Sequence, residues 1–240
     1  MIVKVFPDYQ SLSRATADLI KDCIARKPTA MICIASGHTP VGVFQCLVGD
    51  VKSGKLDLSH VTFVSLDEWI GVDPSDPGSC LAMLKKDFFH HVSLRKEQVR
   101  YFDVTQMDLQ KECDAMNELI ASHGGLDVML VGIGTNGHIG MNEPGSSFDD
   151  YAHISKLAEE TIRTGQKYFA RATSLDKGIT LGLRHFREAK LPILMANGSK
   201  KAAIMTTMMS SKTTESIPAT IVHQVNQCLI ALDAEAAASL

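Results

Sequence analysis

No apolar run in the 240 residues reaches the roughly 18–20 needed to span a bilayer. A basic surplus is missing too: 24 Lys and Arg stand against 27 Asp and Glu, a formal net charge of −3, which leaves no basic face for nucleic acid. The 6 cysteines (Cys23, Cys33, Cys46, Cys80, Cys113, Cys228) include no C-x-x-C pair, so reduced thiols are expected, with Cys33 and Cys228 in the core. The opening Met-Ile-Val-Lys-Val-Phe-Pro lacks the charged-then-apolar pattern of a secretory signal, and a cytoplasmic location is the expectation. No internal repeat, low-complexity tract or linker divides the chain, which predicts one domain across residues 1–240.

What is present is a series of short apolar runs alternating with helical spacing. Buried strands are expected near 30–35, 61–66, 127–131, 191–196 and 227–232, with a short edge strand at 2–6. Helices are expected over Ser11–Arg26, with Ser11 as N-cap, over Val41–Leu47, around Phe88–Val92, and over the acid-rich stretch Asp103–Ser122. The polar stretch Ser155–Ala172 reads as a surface helix. Apolar strands alternating with helices predict an α/β fold: a doubly wound, mostly parallel sheet with helices on both faces. In such sheets ligands bind outside the carboxyl ends of the strands.

The stretch richest in chemistry follows one of those strands. In V-G-I-G-T-N-G-H-I-G-M-N-E-P, residues 131–144, Gly132, Gly134 and Gly137 permit positive φ and close ligand approach. His138 exchanges a proton near neutral pH, and Glu143 is placed to orient it. Gly132 to Gly137 also satisfies G-x-G-x-x-G, the dinucleotide fingerprint. That fingerprint needs a long helix after its third glycine, and Pro144 and Gly145 interrupt it.

Three other loops sit at strand ends. Ser36-Gly37-His38-Thr39-Pro40 joins a strand to a helix N-terminus, where free N–H groups and the helix dipole attract an anion. Asp67-Glu-Trp69 places two acids at the end of a buried strand, which is costly unless they are exposed or used. Asn197-Gly-Ser-Lys-Lys201 brings a cation to another helix N-terminus.

Residues 132–144 resemble the signature loop of the glucosamine-6-phosphate deaminase/isomerase family. The resemblance extends to Ser36–Pro40, to Asp67–Trp69 and to Lys177-Gly-Ile-Thr-Leu-Gly-Leu183, and so covers nearly the whole chain. It implies conversion of an amino-sugar 6-phosphate to a ketose 6-phosphate with release of ammonia, using no metal or redox cofactor. His138, supported by Glu143 and oriented by Asn136, would relay protons during ring opening. Asp67 would carry a proton from C2 to C1 through an enolamine. Ser36, Gly37, His38, Thr39 and Lys201, with Lys167 where the family often has arginine, would hold the phosphate. His38 stands where the family usually has a second glycine, and Asn136 where some members carry aspartate. His153, Ser155 and Lys156 break the basic pair of the family's allosteric site, so allosteric activation is not expected.

Trp69, Pro77-Gly-Ser-Cys80 and Lys177–Leu183 look more like the galactosamine-6-phosphate branch, with tagatose 6-phosphate as product and Trp69 setting specificity. Glucosamine 6-phosphate, giving fructose 6-phosphate, is the alternative. More distant readings are a 6-phosphogluconolactonase, whose family lacks Asn142-Glu-Pro144, and a non-catalytic sugar-phosphate sensor. The expected partner is a small amino-sugar phosphate, with no nucleic acid or membrane and with a homo-oligomer left open.

Overall fold

In the computed structural model, which describes residues 1–240, seven strands form one fully parallel sheet. They are β1 (Ile2–Phe6), β2 (Met31–Ile34), β3 (Thr62–Ser65), β5 (Val99–Arg100), β6 (Val128–Val131), β9 (Leu191–Ala196) and β10 (Leu229–Asp233), in spatial order β1-β10-β9-β6-β2-β3-β5. Neighbouring residues of a strand serve opposite faces. Ile32 and Ile34 of β2 join a cluster with Leu12, Ile20, Phe44, Leu47 and Phe88, whereas Met31 and Cys33 join one with Met116, Ile120, Phe186 and Met205. Helices α1 (Tyr9–Arg26), α2 (Val41–Lys52) and α3 (Cys80–Asp87) cover the first face. The second face is covered by α4 (Leu109–Ser122), α6 (Leu183–Glu188) and α7 (Ala202–Ser210). Each fully buried aliphatic or aromatic side chain contributes about 1.5–3 kcal/mol, so the strands buried on both faces dominate the stability. The doubly wound sheet is as expected, and Cys33 and Cys228 are core residues.

Several boundaries differ from the sequence expectation, each for a local reason. Asp8, not Ser11, caps α1: its carboxylate accepts the Ser11 N–H at 2.7 Å. The stretch expected as a helix from Asp103 begins only at Leu109, because Asp103 folds a turn on itself, accepting from Thr105 N–H at 3.1 Å and Thr105 Oγ1 at 2.6 Å. The helix expected around Phe88–Val92 shortens to one 3-10 turn, Phe89–His91, directly after α3; Phe88, between the two, stacks on Phe44 with ring centroids 5.1 Å apart.

The larger departure is a second sheet. After β3 the chain turns at Leu66 and pairs residues 67–69 (β4) antiparallel with Lys177–Thr180 (β8), which pairs in turn with His153–Lys156 (β7). The expected surface helix over 155–172 therefore shrinks to α5 (Glu159–Gly165) and one 3-10 turn. Close packing fixes this small sheet to the loop after β6. A Cβ on Gly178 would lie 1.9 Å from Met141 Sδ. Buried Asn142 donates to Ile139 O at 2.8 Å and to Leu181 O at 2.9 Å.

The strand order locates the ligand region. From β2 the chain winds outward through β3 and β5, then returns to place β6 on the other side of β2. The reversal leaves a crevice between the loops that follow β2 and β6, where doubly wound sheets bind ligands. No helix is long and apolar enough to cross a membrane.

Candidate active site

A cleft of about 740 Å³ opens over the carboxyl ends of β9, β6, β2 and β3, and all four strand-end loops line it. Ser36 to Thr39, Asp67, Trp69, His138, Lys167 and Lys201 all face the cleft, so one space gathers nearly every residue singled out in the sequence. No three His, Cys, Asp or Glu side chains converge where a metal would sit.

One end of the cleft is built for an anion. Gly37 has φ +89°, and a Cβ there would lie 3.0 Å from Tyr168 Oη, so glycine is needed at this position. His38 has no positive φ, and its ring stacks on Tyr168 with centroids 5.5 Å apart; one glycine suffices in this loop. Tyr9 secures the loop from below, donating to Thr39 O at 2.9 Å and accepting from Gly42 N–H at 2.8 Å at the start of α2. Lys201 Nζ donates to Ile133 O at 2.6 Å. Burial, then the charge of Lys167, lowers the Lys201 pKa; burial, then Lys200, lowers that of Lys167. Ammonium groups desolvated and crowded in this way gain most when a dianion arrives.

At the other end are the carboxylates of Asp67 and Glu68 and the imidazole of His138. Asp67 is 8% exposed, and burial, reinforced by the charge of Glu68, raises its pKa to about 7 against an opposing hydrogen bond from Cys80. Glu68 acts as a structural clamp. Its carboxylate accepts the N–H groups of Trp69 (2.9 Å), Cys80 (2.8 Å) and Leu81 (2.9 Å), fastening the N-terminus of α3 to β4. Those donors favour the ionised form, although burial outweighs them and raises the Glu68 pKa.

The signature loop uses its glycines unequally. Only Gly137 has positive φ (+86°) among Gly132, Gly134 and Gly137. Gly134 is required because the imidazole lies directly on it: a Cβ would sit 2.2 Å from His138 Cε1. At Gly132 the nearest atoms to such a Cβ are 4.0 Å away, so the expectation of a special backbone there is corrected. No long helix follows Gly137; residues 138–145 form turns and an isolated bridge between Ile139 and Asn142.

His138 is brought next to Glu143 as expected, with Nδ1 3.7 Å from Glu143 Oε2. Burial lowers the His138 pKa, leaving the resting imidazole neutral at pH 7. Asn136 does not line the cleft. It donates to Glu143 Oε2 at 3.1 Å and accepts the His138 N–H at 3.1 Å, and so ties the two together.

Among the lining residues that sequence reasoning missed are Cys80, Thr161, Arg163 and Tyr168. Cys80 was visible only as a branch marker, and Arg163 only as one charge among several on a polar stretch. Thr161 and Tyr168 had no sequence signal, since α5 and its following turn reach the site through the small sheet.

The family model for glucosamine-6-phosphate isomerases/6-phosphogluconolactonase matches residues 9–231. A glucosamine-6-phosphate deaminase of Thermoanaerobacter sp. (strain X514) is 35% identical over 238 residues, covering 99% of this chain and 94% of the relative. Glucosamine-6-phosphate deaminase 2 of Bacillus subtilis (strain 168) is 33% identical, covering 100% and 98%. Among solved structures, a monomeric glucosamine-6-phosphate deaminase superposes with a TM-score of 0.96 at 31% identity over 100% of both chains. A 6-phosphogluconolactonase of Trypanosoma brucei, 19% identical with a TM-score of 0.77, shares the fold. With a parallel sheet, a signature loop and a full-length match all in agreement, the chain belongs to the glucosamine-6-phosphate isomerase/6-phosphogluconolactonase family of enzymes.

Proposed function

We propose that the protein is an amino-sugar-6-phosphate deaminase/isomerase, taking up water and releasing a ketose 6-phosphate and ammonia. The observation that carries this reading is that one cleft holds an ionisable carboxylate, Asp67, and a neutral imidazole, His138, together with an anion site several side chains wide. The phosphate would rest on Ser36–Thr39, Lys167 and Lys201. Anchored there, it contributes binding energy and orientation without taking part in the chemistry. His138 Nε2 takes the anomeric hydroxyl proton and returns one to the ring oxygen, opening the ring. Asp67, ionised, then removes the proton on C2 while the C1 oxygen gains one from the substrate's ammonium group, giving an enolamine, and Asp67 delivers its proton to C1. The resulting imine at C2 is hydrolysed by water, releasing ammonia and leaving the ketone.

Glucosamine 6-phosphate is the substrate that the relatives' names favour, with fructose 6-phosphate as product. The galactosamine reading from Trp69 is not supported by those names. One observation keeps it as the second reading: Trp69 borders the cleft and its buried indole N–H has no partner in the protein. The two substrates differ only at the C4 hydroxyl, and a buried polar mismatch costs about 1–3 kcal/mol, or roughly five- to a hundredfold in preference. Parallel ammonia-release assays on the two epimers decide between them. Turnover of the gluco epimer with a clear preference supports the first reading, and Trp69→Phe should then leave the ratio unchanged. A galacto preference that collapses in Trp69→Phe supports the second. Release of ammonia from neither epimer refutes the deaminase reading itself.

A further inference from the structure

The reaction proposed above needs His138 with an unprotonated Nε2, yet a neutral imidazole has two tautomers, and the wrong one cannot accept a proton from substrate. The packing around the ring bears on which one is held. Gly134 lies beneath it, and the ring borders the cleft. On the Nδ1 side there are two groups: the Thr161 hydroxyl at 3.1 Å, and Glu143 Oε2 at 3.7 Å. Only the first is within hydrogen-bond distance. At 3.7 Å, Glu143 Oε2, which accepts from the Asn136 amide, acts on the ring through its charge. That negative charge favours a hydrogen on Nδ1, and the hydroxyl oxygen is then its acceptor.

Thr161 is itself buried, 4% exposed, on α5, and its hydroxyl has no other hydrogen-bond partner in the protein. A second side-chain bond, Thr135 donating to Glu160, joins the same helix to the same loop one residue earlier. α5 is thereby held against the signature loop at the height of the imidazole.

We propose that Thr161 is a positioning residue that sets the His138 tautomer: its hydroxyl accepts the Nδ1–H and keeps Nε2, the nitrogen left for the cleft, free to take a proton from substrate. Thr161 acts through His138. The proposal rests on the deaminase/isomerase reading for its consequence, but the contact itself can be tested without substrate.

The test compares Thr161→Val, which keeps the shape and removes the hydroxyl, with Thr161→Ser, which keeps the hydroxyl. Imidazole 15N shifts of labelled protein, with the His138 signals assigned by their loss in His138→Asn, report the tautomer directly. In wild type and Thr161→Ser the His138 Nδ1 should carry the proton; in Thr161→Val the Nε2–H form should rise to a clearly detectable fraction. For turnover, Thr161→Val should lower kcat about tenfold or more with KM within about threefold, and Thr161→Ser should recover most of it, the pattern of a lost transition-state contribution. Unchanged 15N shifts in Thr161→Val would overturn the proposal, as would a Thr161→Ser enzyme as slow as Thr161→Val. If the wild-type protein releases no ammonia from either amino-sugar phosphate, the functional reading fails while the 15N spectra still decide whether Thr161 sets the tautomer.

Discussion

The two ends of the cleft are built on different principles. The anion end is made from loops that leave strands and enter helices within a few residues, and its residues are only partly buried or exposed: Ser36, Gly37, His38, Thr39, Lys167 and Lys201. The proton-transfer end is made of buried polar groups, with Asp67 at 8%, Glu68 at 3%, Asn142 at 0% and Glu143 at 5% exposure. Three groups at this end are held by partners distant in sequence: Glu68 by the N-terminus of α3, Asn142 by Leu181 O, and His138 by Thr161. Point charges on flexible stems suffice to hold a phosphate. Transfer of a proton between adjacent carbons requires groups fixed in geometry and in protonation state, and burial provides both.

The contrast predicts that a single methyl group will do more damage at the chemical end than the loss of a whole cation at the anion end. Gly134→Ala drives a Cβ into the His138 ring, whereas Gly132→Ala meets nothing closer than 4.0 Å. Ammonia release should fall by about 10²–10⁴ in the first, the range expected for losing a general acid–base, and stay within about threefold in the second. Equal effects would show that the ring is not seated on Gly134.

Loss of Lys201 should register in binding. Lys201→Ala should weaken a phosphorylated ligand by about 1–3 kcal/mol, the scale of a charged hydrogen bond, and affect the unphosphorylated amino sugar far less. Isothermal titration with both ligands measures this, and equal losses would place Lys201 outside the phosphate site.

A smaller effect distinguishes the two ends by pH. Asp67 must be ionised to accept the C2 proton, and its pKa of about 7 predicts that kcat/KM rises with pH through about 7. The sign for stability is the reverse. A carboxyl raised from 3.8 in the unfolded chain to about 7 in the fold binds its proton more tightly when folded. Its contribution is therefore most favourable below pH 3.8 and is lost as the pH rises through about 7. Asp67→Asn removes that buried charge, so its Tm should exceed that of wild type at pH 8 by more than it does at pH 5. A Tm difference independent of pH would contradict the raised pKa.

The same contrast explains what the sequence revealed. The anion end was legible because strand, loop and helix N-terminus follow one another locally, as in Ala30–Leu47 and Leu191–Lys201. The seven-stranded sheet was legible because its central strands are continuous apolar runs such as Met31–Ile34 and Val128–Val131. The small sheet was not: Asp67–Trp69 and His153–Lys156 are too short and too polar to read as strands, and they form only because β8 lies between them. With that sheet unseen, Thr161, Tyr168 and the clamping role of Glu68 had no sequence signal, and the hydrogen bond by which Asn136 reaches Glu143 was not foreseen. Gly132, Gly134 and Gly137 were read alike, yet only the structure separates close approach at Gly134 from positive φ at Gly137.

The most direct test of the central claim, that Asp67 transfers the C2 proton, is exchange at C2 in D₂O followed by proton NMR, with wild type and Asp67→Asn at pH 8. Wild type should exchange the C2 hydrogen during turnover. The variant should bind substrate within about tenfold of wild type and show no exchange above background, because the substitution removes the proton acceptor and little else. Near-normal exchange in Asp67→Asn would contradict the account and move the base to another group in the cleft.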